Sequence, residues 1–162
     1  TYDNSLPKEV VYCGGLNLTD PSTKEEITAG KLVLSPTRTY APIIAKILKQ
    51  YRKKIDGMIH CSGGAQTKVL HFLNDGCKVI KDNLFPIPPL FEMIQQQSKT
   101  DWKEMYKVFN MGHRMEIYTD EQTAKEIIKI SQSFDVEAQI VGRVEEGEKS
   151  VEIHSPYGKF TY

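Results

Sequence analysis

Residues 57–68, GMIHCSGGAQTK, limit the possible fold more than any other stretch of this chain. An apolar run ends at His60 and Cys61, passes through Ser62-Gly63-Gly64, and enters a segment with Ala65, Val69, Phe72 and Leu73 at helical spacing. That order predicts a strand, a glycine turn and a helix. Residues without a β-carbon let a ligand approach the main chain, and the free N–H groups of a helix's first turn favour an anion. Two readings follow from the pattern: a tight turn and nothing more, or a cradle for a phosphate-bearing ligand.

The flanking segments repeat the alternation of strand and helix. Residues 31–35 (KLVLS) read as a short strand, turned by Pro36-Thr37-Arg38-Thr39, with Thr39 as N-cap. Tyr40, Ile43, Ile44, Ile47, Leu48 and Tyr51 then mark one buried helical face, while Lys46, Lys49, Arg52 and Lys53 form its solvated side. Residues 78–81 (KVIK) read as a strand and the proline-rich residues 83–89 as an ordered surface loop. A helix begins at Leu90, Phe91, Met93 and Ile94. Trp102, Met105, Tyr106 and Phe109 give another helix its core stripe.

A turn at residues 110–113 leads into a strand that sets Met115 and Ile117 against Arg114 and Glu116. Thr119 to Gln122 form a capping box that opens a helix to about Ser133, with Ala124, Ile127, Ile128 and Phe134 facing inward. Two closing strands, residues 138–144 and 150–154, are expected to form a hairpin across the acidic turn at 145–149. Residues 1–30 read as an irregular lead-in from a preceding domain or linker, with one β-type run at 10–12. The fold class expected is α+β, a mixed sheet of about five or six strands covered by helices.

Lys+Arg 21 against Asp+Glu 21 cancel to zero net charge, so no basic field steers the chain to nucleic acid or a membrane surface. Apolar runs are far shorter than the ~20 residues a bilayer span needs. Cys13, Cys61 and Cys77 are an odd set without CxxC spacing, which fits neither a disulfide framework nor a structural zinc site. No metal ligand set is expected, and a cytoplasmic location is. Cys61 reads as a buried filler thiol and His60 as a satisfied core histidine. The chain opens on Thr1, without initiator Met or signal peptide, which points to a piece of a longer protein.

Four stretches in this order and spacing carry a more specific signal: LVLSPTRTY at 32–40, IHCSGG at 59–64, PPLF at 88–91 and EMYKVFNMGHRM at 104–115. Together they resemble the carboxyl-terminal half of the aminoimidazole ribonucleotide synthetase (phosphoribosylformylglycinamidine cyclo-ligase) family. The resemblance runs from about residue 31 to the end. It implies that 31–162 form the carboxyl-terminal, cleft-forming domain of a homodimeric enzyme. An amino-terminal domain absent here would bind most of the ATP and Mg2+, and the reaction would be ATP-dependent ring closure of formylglycinamidine ribonucleotide. A fragment of this kind is expected to be inactive alone.

The resemblance also implies roles for particular residues. Pro36-Thr37-Arg38 matches the family's Pro-Thr-Arg, Ser62-Gly63-Gly64 its Thr-Gly-Gly, and Phe109-Asn110 with Gly112 and Met115 its Phe-Asn-x-Gly-x-x-Met. Thr37, Ser62, Gly63, Gly64 and Gly112 would then meet substrate or its phosphate, and Arg38 and Asn110 would serve catalysis. A structural ion pair for Arg38 and a turn cap for Asn110 are their ordinary readings. The chain departs from the family at Ala65, at residues 69–72, and at His113-Arg114. Gln66, Lys68, His113 and Arg114 are therefore either substitutes for lost polar contacts or plain surface. Two alternatives stay open: formylglycinamidine ribonucleotide synthase, another ATP-dependent member of the superfamily, or a non-catalytic binding or assembly module of the same fold.

Overall fold

The computed structural model describes residues 5–7, 14–22, 27–36 and 38–162. The strand expected at 10–12, Cys13 and Thr37 lie outside them. Helix α1 (Ala29–Val33) is followed by α2 (Ala41–Tyr51), β1 (Ile55–His60), a 3-10 helix (Ala65–His71) and β2 (Cys77–Lys81). Then come α3 (Pro89–Ser98), α4 (Trp102–Val108), β3 (Met115–Thr119), α5 (Glu121–Gln132), β4 (Gly142–Glu146), β5 (Ser150–Ser155) and β6 (Gly158–Thr161). The expected α+β class and mixed sheet are present. Among the described residues the six strands divide into an antiparallel pair, β1-β3, and a four-stranded sheet in the order β4-β2-β5-β6.

The described residues form two apolar cores, and the larger draws on both sheets. Ile59, Val69, Val79, Met105, Tyr106, Val151 and Ile153 centre the larger one, where β1, the 3-10 helix and α4 meet β2 and β5. Ile43 and Ile47 of α2 meet Ile127 and Ile130 of α5 in the smaller one, as their 3.6-residue periodicity requires. Both helices start within a residue of the expected caps, but on other residues. Asp120 rather than Thr119 caps α5, accepting from the Thr123 amide at 2.9 Å. The Thr39 hydroxyl accepts weakly from the Ala41 amide at 3.4 Å, with Tyr40 in the N-cap position of α2.

Several expectations are corrected. Residues 31–35 do not form a strand: Thr28 caps a short helix there, and the Gly30 amide docks on the Leu18 carbonyl at 2.8 Å, so local capping wins over β propensity. The helix after the glycine turn is a 3-10 helix, and its rotation differs enough from an α-helix that Phe72 faces solvent, 66% exposed. Phe134 is exposed too, lying past the end of α5 under the Lys46 ammonium. His60 is exposed rather than a core histidine.

The expected closing hairpin is split. Strand β2 inserts between β4 and β5, antiparallel to the first and parallel to the second. The three residues at 147–149 reach about 10 Å, two strand spacings, so the link passes around the end of β2. The Gly147 amide bonds the Gly76 carbonyl there at 2.9 Å. At the other end of β4 a β-carbon on Gly142 would fall 1.9 Å from the Ile80 carbonyl oxygen, so only glycine lets β4 lie this close. Pairing therefore starts at Gly142, not 138, and Glu145 and Glu146 belong to the strand. A sixth strand, β6, adds to β5 through a turn the sequence reading missed.

Candidate functional site

Strand β1 delivers the chain to Cys61, whose amide is fixed to the Arg114 carbonyl at 2.7 Å. The main chain then reverses: the Ser62 amide donates to the His60 carbonyl at 2.7 Å and the Ala65 amide to the Ser62 carbonyl at 2.6 Å. Gly64 sits at φ +87 and Ala65 at φ +42, so two successive residues are left-handed. Thr67 closes the turn by returning both its amide and its hydroxyl to the Gly64 carbonyl at 2.9 Å. Lys68 reaches back to the Ser62 hydroxyl at 2.9 Å.

The free donors are therefore not where a regular α-helix would put them. The amide beyond the second glycine, that of Ala65, is capped by protein. Those of Gly63 and Gly64 make no hydrogen bond among the described residues. Gly63 has an ordinary φ, and a β-carbon there would meet nothing within 4 Å. Within the described chain, then, no conformational or packing demand accounts for glycine at this position.

Asn110, at the end of α4, opens a second turn. Its Oδ1 accepts from the Gly112 amide at 3.1 Å, which leaves the side-chain NH2 to donate. Met111 and Gly112 take φ +52 and +128, burying Met111 and leaving Gly112 exposed. A β-carbon on Gly112 would press on Phe85 and the Pro86 carbonyl at 3.4 Å.

A buried polar network joins the two turns. Lys81, on β2, is 1% exposed, and its ammonium donates to Glu116 Oε1 at 2.5 Å, the Gln66 carbonyl at 2.6 Å and Gln66 Oε1 at 3.2 Å. Those three bonds use all its protons. Glu116, on β3, also receives His113 Nε2 on Oε1 and the Tyr118 hydroxyl on Oε2, both at 2.7 Å. Gln66 Nε2 donates to the Asn110 carbonyl and lies 3.4 Å from His113 Nδ1. No buried side-chain nitrogen or oxygen among the described residues lacks a partner.

Electrostatics follow from this arrangement. Burial alone would raise the Glu116 carboxyl, but the His113 hydrogen bond and the Lys81 charge outweigh it and hold the group at about 2, against an ordinary 4.5. Burial, reinforced by the Glu116 charge, pushes the Cys61 thiol up to about 12 and raises the Tyr118 hydroxyl as well. Cys61, His113 and Glu116 offer metal-ligating atoms within 4.8 Å of one another. The Lys81 ammonium already holds the Glu116 oxygen, and Cys61 keeps its proton, so the cluster behaves as an ion pair with its donors.

Sequence reasoning found the two turns and missed what links them. Glu116 was read as the polar side of an alternating strand and Lys81 as the end of one; only the packing of the two sheets brings them face to face. Gln66 and His113, left open between surface and substitute contact, are both buried. Arg38 and Gly112 line a groove of about 1410 Å3 that also reaches Lys81, His113 and Glu116; Ser62, Gly63, Gly64 and Asn110 do not line it. Arg38 is exposed and makes no ion pair among the described residues. No described helix is long and apolar enough to cross a membrane.

The family model "AIR synthase related protein, C-terminal domain" matches residues 11–155. The chain belongs to that family. The phosphoribosylformylglycinamidine cyclo-ligase of Syntrophus aciditrophicus is 32% identical over 151 residues, covering 90% of this chain and 43% of the relative. That of Methanocaldococcus jannaschii is 33% identical, covering 86% and 40%. The Methanococcus vannielii enzyme is 30% identical, covering 97% and 43%. The chain thus spans about two fifths of the length of the curated relatives it matches. Among solved structures, E. coli HypE, a hydrogenase maturation protein, aligns at TM-score 0.57 with 19% identity over 85% of this chain and 41% of that one. A HypE–HypF complex aligns at TM-score 0.59 with 17% identity, covering 86% and 44%. These likenesses are of fold.

Proposed function

We propose that residues 31–162 are the cleft-forming carboxyl-terminal domain of a phosphoribosylformylglycinamidine cyclo-ligase, with 1–30 as the lead-in from the rest of the polypeptide. The complete enzyme is a cytoplasmic homodimer whose preceding domain holds most of the ATP and Mg2+; this chain alone does not turn over. The observation that carries the reading is the pair of unbonded amides on Gly63 and Gly64, with open space where a Gly63 side chain would stand. Such donors suit a phosphate group on a nucleotide substrate. The cyclo-ligase names of relatives at 30–33% identity support the same substrate class.

In this reaction ATP phosphorylates the formyl amide oxygen of formylglycinamidine ribonucleotide, giving an iminophosphate and ADP. The amidine nitrogen then attacks the activated carbon, the C–O bond breaks, and inorganic phosphate leaves as the imidazole ring closes. The protein's task is to position the two reacting ends and neutralise phosphate, not to supply a nucleophile. Gly63, Gly64 and the Ser62 hydroxyl bind the substrate's phosphate, Gly112 meets the rest of the substrate from the groove it shares with Arg38, and Thr37 keeps the binding role that the family resemblance gives it. The Arg38 guanidinium meets an anion, and the free NH2 of Asn110 donates to the substrate. Asn110→Ala and Arg38→Ala in the complete polypeptide test this. Each is expected to lower the ring-closing rate while the circular dichroism spectrum stays that of the parent; near-parental rates in both would remove these residues from the site.

A further inference from the structure

The turn at residues 62–65 and the turn at 110–112 come from different parts of the chain, separated by β2, α3 and α4, and neither donates directly to the other's site groups. One side chain spans them. Gln66 is fully buried and follows the first turn immediately; its Nε2 donates to the Asn110 carbonyl at the start of the second. Its orientation is forced: Oε1 faces the Lys81 ammonium, which can only donate, so the NH2 must face Asn110 and His113 Nδ1. His113 and Lys81 are in turn held by the same Glu116 oxygen, so a shift of Gln66 breaks contacts with β2 and with the turn that enters β3.

We infer that Gln66 is a positioning residue, which sets the Asn110 turn relative to the Gly63-Gly64 turn through its amide while Lys81, Glu116 and His113 hold that amide in one orientation. The inference rests on the proposed function, since it assigns both turns to one substrate. Gln66 touches no substrate; it acts through the Asn110 carbonyl. Misplacing one reacting end by about 1 Å can cost on the order of a hundredfold in rate, so the network matters to chemistry as well as to folding.

The test uses the complete polypeptide carrying Gln66→Glu or Gln66→Met. The first keeps an acceptor for Lys81 but turns a second oxygen on the Asn110 carbonyl; the second removes both contacts without adding charge. Exchange of the Gly112 amide, which Asn110 Oδ1 protects, and of the Ala65 and Thr67 amides reads the two turns directly. The inference expects faster exchange at Gly112, and a kcat lower by about tenfold or more with KM for ATP within about twofold. Ile127→Val, in the separate core between α2 and α5, controls for general loosening and is expected to leave Gly112 protected. Unchanged Gly112 exchange in both Gln66 variants overturns the inference, and so does faster exchange with an unchanged kcat. A parent protein with no ring-closing activity would instead overturn the proposed function, while the exchange data alone would still decide whether Gln66 couples the turns.

Discussion

The glycine turn and the buried network lie within a few residues of each other, yet they are built on opposite principles. At Gly63 and Gly64 the main chain is at least partly exposed, holds two donors without partners among the described residues, and leaves room at Gly63 for a side chain that is not there. At Lys81, Glu116, His113 and Gln66 the side chains are buried and none of their buried polar atoms lacks a partner among the described residues. The first region keeps binding capacity unspent; the second has none left and supplies rigidity instead. A residue should therefore affect ligand binding or stability according to which region it occupies, and substitutions can separate the two.

The largest effect belongs to the network. Lys81→Met strands the Glu116 charge in the interior, and a loss of about 3–5 kcal/mol in unfolding free energy is expected from urea melts. Adding Glu116→Gln to that variant removes the orphaned charge and should recover part of the loss. A double variant no better than the single one would mean that the pair is not coupled.

Acid sharpens the same contrast. The folded Glu116 carboxyl sits at about 2 and its ordinary value is 4.5, so its contribution is complete above about pH 4.5 and is lost as pH falls toward 2. The drop attributable to this one group is on the order of 3 kcal/mol. Glu116→Gln should flatten the stability profile across that window; an unaltered acid limb would contradict the buried pairing.

A smaller effect is expected at the turn. Gly64 is at φ +87, where any β-carbon is strained, so Gly64→Ala should cost about 1–2 kcal/mol of stability, measured by thermal melting.

How much of this was legible in the sequence depends on how local the cause is. The turn after β1, the stripes of α2, α4 and α5, and the start of α5 follow from neighbours a few residues apart, and they stand close to where the pattern put them, with the α5 cap one residue on, at Asp120 rather than Thr119. The insertion of β2 between β4 and β5 depends on residues about 65 apart, and nothing in the segment around 142–150 announces it except Gly142 itself. The same holds for the network. Met115-Glu116-Ile117 alternates as a half-exposed strand should, but because β3 lies against Lys81 of β2, Glu116 is the buried member of that alternation. Of the candidate site residues, Gly63 and Gly64 were singled out by turn chemistry, and Asn110 and Gly112 by the resemblance to a family pattern. Gln66 was marked only as a departure from a family pattern, since a single glutamine has no periodicity to betray its burial.

The measurement that bears most directly on the account is the behaviour of Gly63→Ala in the complete polypeptide. No packing or φ requirement within the described chain holds that position, so stability should stay within about 0.5 kcal/mol of the parent. A methyl group standing over the two free amides should raise KM for the nucleotide substrate about tenfold or more. A variant that melts like the parent and also binds and closes its substrate like the parent would contradict the claim that this open backbone receives the phosphate.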